Sequence, residues 1–404
     1  MQNIPAVRFL DRTTPPHILT LILLAGISAL AMNVFLPSLP SMTKHFGTEY
    51  RVMQLSVSLY LGFSALPQLV LGPLSDRFGR RPVVLVGLAV FVLASLGCVL
   101  APNVEVFLGF RLLQAAVVVG MVLSRAAVRD IVPQAQAASM IGYVTMGMAL
   151  VPMIGPAIGG VLGELLGWQA NFWLLVITGG GIWALCWADM GETNMAKSTN
   201  FAQQFRQYPE LLTSRRFWGY CLAAAFGSGA FFAYLGGAPY IGTQVYGLSQ
   251  SELGLYFGAP ALGYFSGNFI TGRYAVRYGI NMMVLIGSII VTGGMLLLLL
   301  LFYAGLHDVN IFFGFMTFVG LGNGLLMPNA NAGLLSVRPH LAGSASGLGG
   351  AIMIGGGAAL SALAGALLHP GTGAFPLIWI QLTVSFLSLL SILYVIRREK
   401  LVDG

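Results

Sequence analysis

Apolar residues run along this chain in blocks of about twenty, separated by short polar turns. That pattern fits neither the strict alternation of half-buried strands nor the one-sided stripe of a helix packed on a water-soluble core. A helix of about twenty apolar residues crosses the roughly 30 Å hydrocarbon layer of a bilayer. Twelve such spans fall near 17–37, 52–71, 83–101, 106–128, 138–163, 170–189, 216–238, 251–271, 282–304, 310–332, 342–367 and 375–396. The longest polar stretch, 191–214, separates the sixth span from the seventh. The pattern therefore predicts an all-α membrane protein: a six-helix half over 1–190, a linker over 191–214 and a second six-helix half over 215–404.

One turn stands apart from the others. Gly72-Pro-Leu-Ser-Asp-Arg-Phe-Gly-Arg-Arg-Pro82 joins the second and third spans and places Asp76, Arg77, Arg80 and Arg81 at the membrane surface. About two hundred residues later, the eighth span ends in Gly272-Arg-Tyr-Ala-Val-Arg-Tyr-Gly279. Aligning Arg77-Phe-Gly79 with Arg277-Tyr-Gly279 sets Val276 where Asp76 stands, so the second copy keeps the basic turn and loses the acid. A repeat of six-helix halves is a transporter build, with substrate held between the halves near the midplane.

Composition points to lipid as the solvent. The chain is 57% hydrophobic and 8% charged, with a mean hydropathy of +0.83, against about 25% charged residues in soluble domains. The formal charge of +7 would suit nucleic acid, but the cations are placed for a membrane. With a cytoplasmic N-terminus, sixteen of the twenty Lys and Arg fall in cytoplasmic turns and termini. Only Lys44 and Arg51 fall outside, which sets the orientation by the positive-inside rule. Arg111 and Arg125 lie within the fourth span.

Other function classes find no support. The first apolar run is longer than a signal-peptide core and leads into Leu36-Pro-Ser-Leu-Pro40 without a small-residue cleavage site. Gly191-Glu-Thr-Asn-Met-Ala-Lys-Ser198 imitates a phosphate loop, but Ala196 replaces the second glycine and no strand precedes it. The five histidines sit at span ends without metal-ligand spacing. Cys98, Cys186 and Cys221 lie within spans and imply no disulfide framework. No enzyme, cofactor or metal is expected, and a gradient must drive transport.

The turn at 72–81 matches G-x-L-[SA]-D-R-x-G-R-[RK] at every defined position, and so resembles the signature loop of the major facilitator superfamily. Gly155-Pro-Ala-Ile-Gly-Gly160 in the fifth span resembles its G-P-x-x-G-G antiporter motif. Arg111 to Ala115 resembles R-x-x-Q-G, with alanine at the last position. Together with Val128-Arg-Asp130 and Gly167-Trp-Gln-Ala-Asn-Phe172, the chain is similar to the Bcr/CflA branch of drug:proton antiporters, which confer bicyclomycin and chloramphenicol resistance. The resemblance covers essentially the full length and is densest over 33–172. It implies a monomeric exporter of small hydrophobic or drug-like molecules in the bacterial inner membrane, with membrane lipid and protons as its other partners.

The resemblance also assigns residues. Gly72, Asp76, Arg77, Gly79, Arg80 and Arg81 form the gating turn, with Asp76 set against the start of the eleventh span near 342–344. Gly155, Pro156, Gly159 and Gly160 are expected on the interface between halves. Pro156 kinks the helix, and the glycines offer a smooth sliding face. The branch carries a proton-binding aspartate in a D-x-[YF]-L-P context, where this chain reads Asn33-Val-Phe-Leu-Pro37. An amide exchanges no proton near neutral pH, leaving Glu164 and Asp130 as coupling candidates. Asn33, Arg111 and Gln114 are expected to contact substrate in a net-positive cavity, which suits a neutral or anionic compound. Arg125, one turn before Arg129, is expected to snorkel to the cytoplasmic surface. The alternative is a uniporter or exchanger of a neutral or anionic metabolite without proton coupling.

Overall fold

The structure, a computed structural model, describes residues 7–132, 134–194, 209–338 and 341–402. The first half comprises α1 (Ile18–Asn33), α2 (Leu39–His45), α3 (Tyr50–Phe78), α4 (Arg80–Val99), α5 (Val104–Leu113), α6 (Val118–Ile131), α7 (Gln134–Leu166) and α8 (Gln169–Asp189). The second half comprises α9 (Arg215–Tyr240), α10 (Gln250–Tyr256), α11 (Gly258–Tyr278), α12 (Ile280–Tyr303), α13 (Val309–Ser336), α14 (Ala342–Leu367) and α15 (Phe375–Val402). Short 3₁₀ turns at Leu36–Ser38 and Gln114–Val117 join α1 to α2 and α5 to α6, so each pair forms one span.

Ten helices among the described residues are long and apolar enough to cross a membrane. The expected fifth and eighth spans, α7 and α11, are helical but fall outside that set. In α7 many side chains lie outside the described residues. In α11 the Asn268, Thr271, Arg273 and Arg277 side chains dilute the apolar run. Every backbone donor in lipid needs an internal partner, and helices supply one locally.

The helix ends follow their sequence. Asn103 caps α5 by accepting the Val106 N–H, and Ser249 with Glu252 closes a capping box at α10. Gly79 and Gly279 stand between α3 and α4 and between α11 and α12 with φ of +97° and +79°, a region open mainly to glycine. Asp189, fully buried at the end of α8, accepts the Leu10 N–H (2.7 Å), the His17 N–H (2.9 Å) and the Thr20 hydroxyl (2.6 Å). It thereby caps the start of α1 and ties the N-terminal segment to the sixth span.

Helix pairs close where glycine removes the side chain. A Cβ on Gly320 of α13 would collide with the Pro260 carbonyl of α11, and one on Gly324 would come within 2.8 Å of Gly267 Cα. Backbones this close gain dispersion that larger residues would forbid. Gly314, on the same helix, faces open space. Gly320→Ala is therefore expected to destabilise the protein by about 1–3 kcal/mol through overpacking. Gly314→Ala should be neutral or stabilise by up to about 1 kcal/mol through helix propensity. Thermal melting of both variants in detergent checks the pair.

Candidate gating and translocation site

The 72–81 turn is an enclosed charge cluster. The buried Arg80 guanidinium reaches Asp76 Oδ1 at 2.7 Å through Nη2 and Asp130 Oδ2 at 3.0 Å through Nε, and Nη1 donates to the Ser75 hydroxyl. One guanidinium thus holds two carboxylates on two different helices, and its fork geometry suits that task. Asp76 and Arg80 lie either side of the left-handed Gly79, whose bend aims them at each other. Asp76 points to Arg80; its expected contact is with the backbone N–H groups at 342–344 when the cytoplasmic end is closed.

A third acid completes this cluster. Glu192, just past α8, accepts the Arg80 N–H (2.8 Å) and the Arg81 N–H (3.3 Å), the first orphan donors of α4. A carboxylate there also meets the positive end of the helix dipole. Thr193 donates to Asp130 (3.0 Å), Asn194 Nδ2 donates to the Asp76 carbonyl (3.0 Å), and Arg81 reaches the Trp187 carbonyl (3.0 Å). The start of the linker is therefore strapped across the turn. Glu192, part of the sequence that imitates a phosphate loop, serves here as a helix cap; residues 195–198 of that sequence lie outside the described residues. Its one available signal was an acid placed directly after a span, which local pattern cannot assign to a partner 112 residues away.

The second half builds its counterpart differently. Val276, in the place of Asp76, is 99% exposed. Glu399 near the end of α15 takes Arg216 (2.5 Å), Tyr220 (3.1 Å) and Asn281 instead. In both halves an acid at or just past the end of the last span fastens the start of the third span, through Glu192 in one and Glu399 in the other.

Arg111 is fully buried, and among the described residues no ion pair reaches it. Its Nη1 donates to Gln114 Oε1 (2.5 Å) and its Nη2 to the Ala31 carbonyl (3.0 Å). The guanidinium lies between the Phe35 and Tyr60 rings, 4.3 and 4.2 Å from their centroids. Desolvated cation–π contacts contribute about 2 kcal/mol or more. Gln114 passes the chain on through Ser95 (2.7 Å), while Asn33 turns its amide to the Ala29 carbonyl (2.8 Å). Asn33, Arg111 and Gln114 are all packed inside the first half, contrary to the expectation of an open substrate cavity. Carbonyl dipoles and π faces absorb the positive charge that was expected to face the substrate. Arg125 is half-buried on α6, one turn before Arg129.

The two halves meet along α3–α14 and α7–α10. At the end remote from the 72–81 turn, Tyr50 donates to the Gly236 carbonyl (2.9 Å), Gln54 to Ser361 O (2.7 Å) and Ser38 to Gln250 Oε1 (2.6 Å). Backbones touch there: a Cβ on Gly160 would collide with the Gln250 carbonyl, and one on Gly254 with the Pro156 carbonyl. The α3–α14 approach varies along its length. A Cβ on Gly365 would stand 2.7 Å from Gln54, whereas one on Gly347 would stand 3.9 Å from the Gln68 carbonyl.

This divides the Gly-Pro motif. Pro156 and Gly160 face the other half, but a Cβ on Gly159 would collide with the Val34 carbonyl, and one on Gly155 would meet Leu30 at 3.4 Å. The expectation that all four line the interface is corrected for Gly155 and Gly159, which pack the first half. The motif spans more than one helical face, so two of its members look inward. Of the coupling candidates, Glu164 is exposed and accepts the Ser251 N–H of α10 at 2.9 Å, and Asp130 belongs to the Arg80 cluster. Each acid sits near the C-terminal end of its helix, Asp130 on α6 and Glu164 on α7. Among the described residues, no group of His, Cys, Asp and Glu could hold a metal ion.

A family model described as Major Facilitator Superfamily matches residues 21–362 and 246–403. The chain is 32% identical to a chloramphenicol resistance protein of Pseudomonas aeruginosa, over 81% of this chain and 79% of the relative. It is 27% identical to multidrug resistance protein D of Escherichia coli, over 89% and 91% of the two chains. It is 27% identical to a bicyclomycin resistance protein homolog of Haemophilus influenzae, over 87% and 89%. Among solved structures, a bacterial homolog of the lysosomal transporter Spinster, in an inward-facing and occupied conformation, superposes with a TM-score of 0.71. It covers 95% of this chain and 96% of that one at 15% identity, a likeness of fold.

Two adjacent glycines separate folding from gating. Gly159→Ala is expected to lower thermal stability by about 1–3 kcal/mol, because it forces α1 from α7 within one half. Gly160→Ala should fold normally and lose most transport, because its methyl blocks the α7–α10 contact. Melting temperature and transport, measured on both variants, check the division.

Proposed function

The chain belongs to the major facilitator superfamily, and we propose that it exports small, largely hydrophobic or drug-like compounds across the bacterial inner membrane in exchange for protons. The observation that carries this reading is the pair of gates. Backbone contact between α7 and α10 seals one end of the inter-half space, and the Asp76–Arg80–Asp130 cluster lies at the other. Rocking two six-helix halves about such contacts alternates access to the space between them. The resistance proteins among the relatives support an outward, drug-like cargo. Sixteen cations on the 72–81 side and at the termini support a cytoplasmic location for that end, which makes the α7–α10 seal the outer gate.

Proton coupling then runs through the gates. Glu164 is exposed, and the Ser251 hydrogen bonds hold its carboxyl below the usual carboxylate range, contrary to the burial-raised value a resting proton carrier needs. It takes up a proton only as that contact and the outer seal open. Protonating Asp130 releases one of the two carboxylates on Arg80 and loosens the inner turn. The proton thus acts on closure, and Asn33 need not carry it.

Asn33 favours a second reading, a uniporter or exchanger of a neutral or anionic metabolite. The acids described here stand at helix ends and turns, with an amide at the one position where the resembled branch has a buried carboxylate. Proton release on adding chloramphenicol to purified protein separates the two. The antiporter reading expects release from the wild type, reduced at least about tenfold in a Glu164→Gln/Asp130→Asn double variant whose binding persists, since each gate then loses its titrating group. Transport by the wild type with no release and no dependence on an imposed pH gradient establishes the second reading.

A further inference from the structure

A groove of about 550 Å³ opens on the outer surface of the first half between α3, α4 and the start of α6. Only apolar residues line it, among them Leu71, Leu74 and Phe78 of α3, Val86 and Val90 of α4, and Val119 of α6. From Pro82 to Val90, α4 rises about 12 Å, which runs from the membrane surface through most of one leaflet, about 15 Å thick. The groove is therefore shaped for one extended hydrocarbon chain that begins at the level of the 72–81 turn.

A cation stands at its mouth. Phe78 forms the upper rim, and the Arg77 guanidinium lies over that ring, 5.3 Å from its centroid. Its neighbours are already committed: Arg80 to Asp76 and Asp130, and Arg81 to the Trp187 carbonyl. Arg77 is exposed, and the ion pairs among the described residues do not include it. Exposed cations at this depth attract anionic headgroups.

We propose that this groove binds an anionic phospholipid, with one acyl chain along α3 and α4 and the phosphate on Arg77. The lipid joins the two helices that flank the gating turn, so it sits where their relative movement is set. Gly87, whose Cβ would come within 3.1 Å of Val119 Cβ, keeps the groove floor low enough for a chain to lie in it.

The test uses the full-length protein in phosphatidylcholine liposomes doped with phosphatidylglycerol bearing a photoreactive group on its acyl chain. The control is phosphatidylcholine bearing the same chain. After illumination, the labelled residues are mapped by peptide mass spectrometry. One arginine near a leaflet surface favours an anionic headgroup about five-fold, and that is the expected ratio of labelling at Leu71, Leu74 and Val86. Arg77→Gln should bring the ratio to about one, and Arg77→Lys should keep it, since attraction at this range depends on charge. Val90→Trp should fill the groove and remove its labelling by both lipids, while labelling of the exposed Leu296, Leu297 and Leu300 on α12 stays constant. A wild-type ratio of one, a ratio unchanged in Arg77→Gln, or groove labelling no greater than that on α12 would overturn the site. The Arg77 variants alter an exposed side chain, so they decide the matter even where Val90→Trp disturbs packing.

Discussion

Helices dissolved in hydrocarbon gain little apolar transfer energy by touching, so this chain holds together where glycine lets two backbones meet. The same contact serves two purposes. Between α11 and α13, the glycines at 263, 267, 320 and 324 weld two helices of one half. Between α7 and α10, Gly160 and Gly254 bring two halves equally close, yet only a few polar pairs support them, among them Ser38–Gln250 and Glu164–Ser251. The α7–α10 seam is thus tight at the backbone and held by few side chains.

Charge is handled by depth. Arg80, at the membrane surface, is neutralised by two carboxylates, and Glu192 caps the helix that carries it. Arg111, deep in the first half, is held by a carbonyl, an amide and two aromatic faces. An uncompensated cation at a helix centre costs at least about 2.5–3.5 kcal/mol on insertion scales, and these partners offset that cost without bringing an acid to the midplane. The acids Asp130 and Glu164 stand near the ends of α6 and α7 instead.

The fold and the gating turn were legible in the sequence because both are local. Block length reports the spans, and Gly79 with its flanking charges reports the bend. Direction of packing was not legible. Gly155, Gly159 and Gly160 belong to one motif, yet only the bundle decides that Gly159 meets Val34 while Gly160 meets Gln250. The partners that hold Arg111 were not legible either: Ala31, Phe35 and Tyr60 lie far away in sequence. Glu192 was unreadable for the same reason.

The claim that the two ends seal in alternation is tested most directly by paired spin-label distances. One pair joins positions 165 and 244 at the α7–α10 end, and the other joins 78 and 278 at the turns; all four are exposed. Cys98, Cys186 and Cys221 are replaced beforehand so that only the introduced thiols are labelled. As substrate and pH are varied, the 165–244 distance should lengthen in the same steps in which 78–278 shortens. Two distances that rise and fall together, or that stay fixed while transport proceeds, would contradict it.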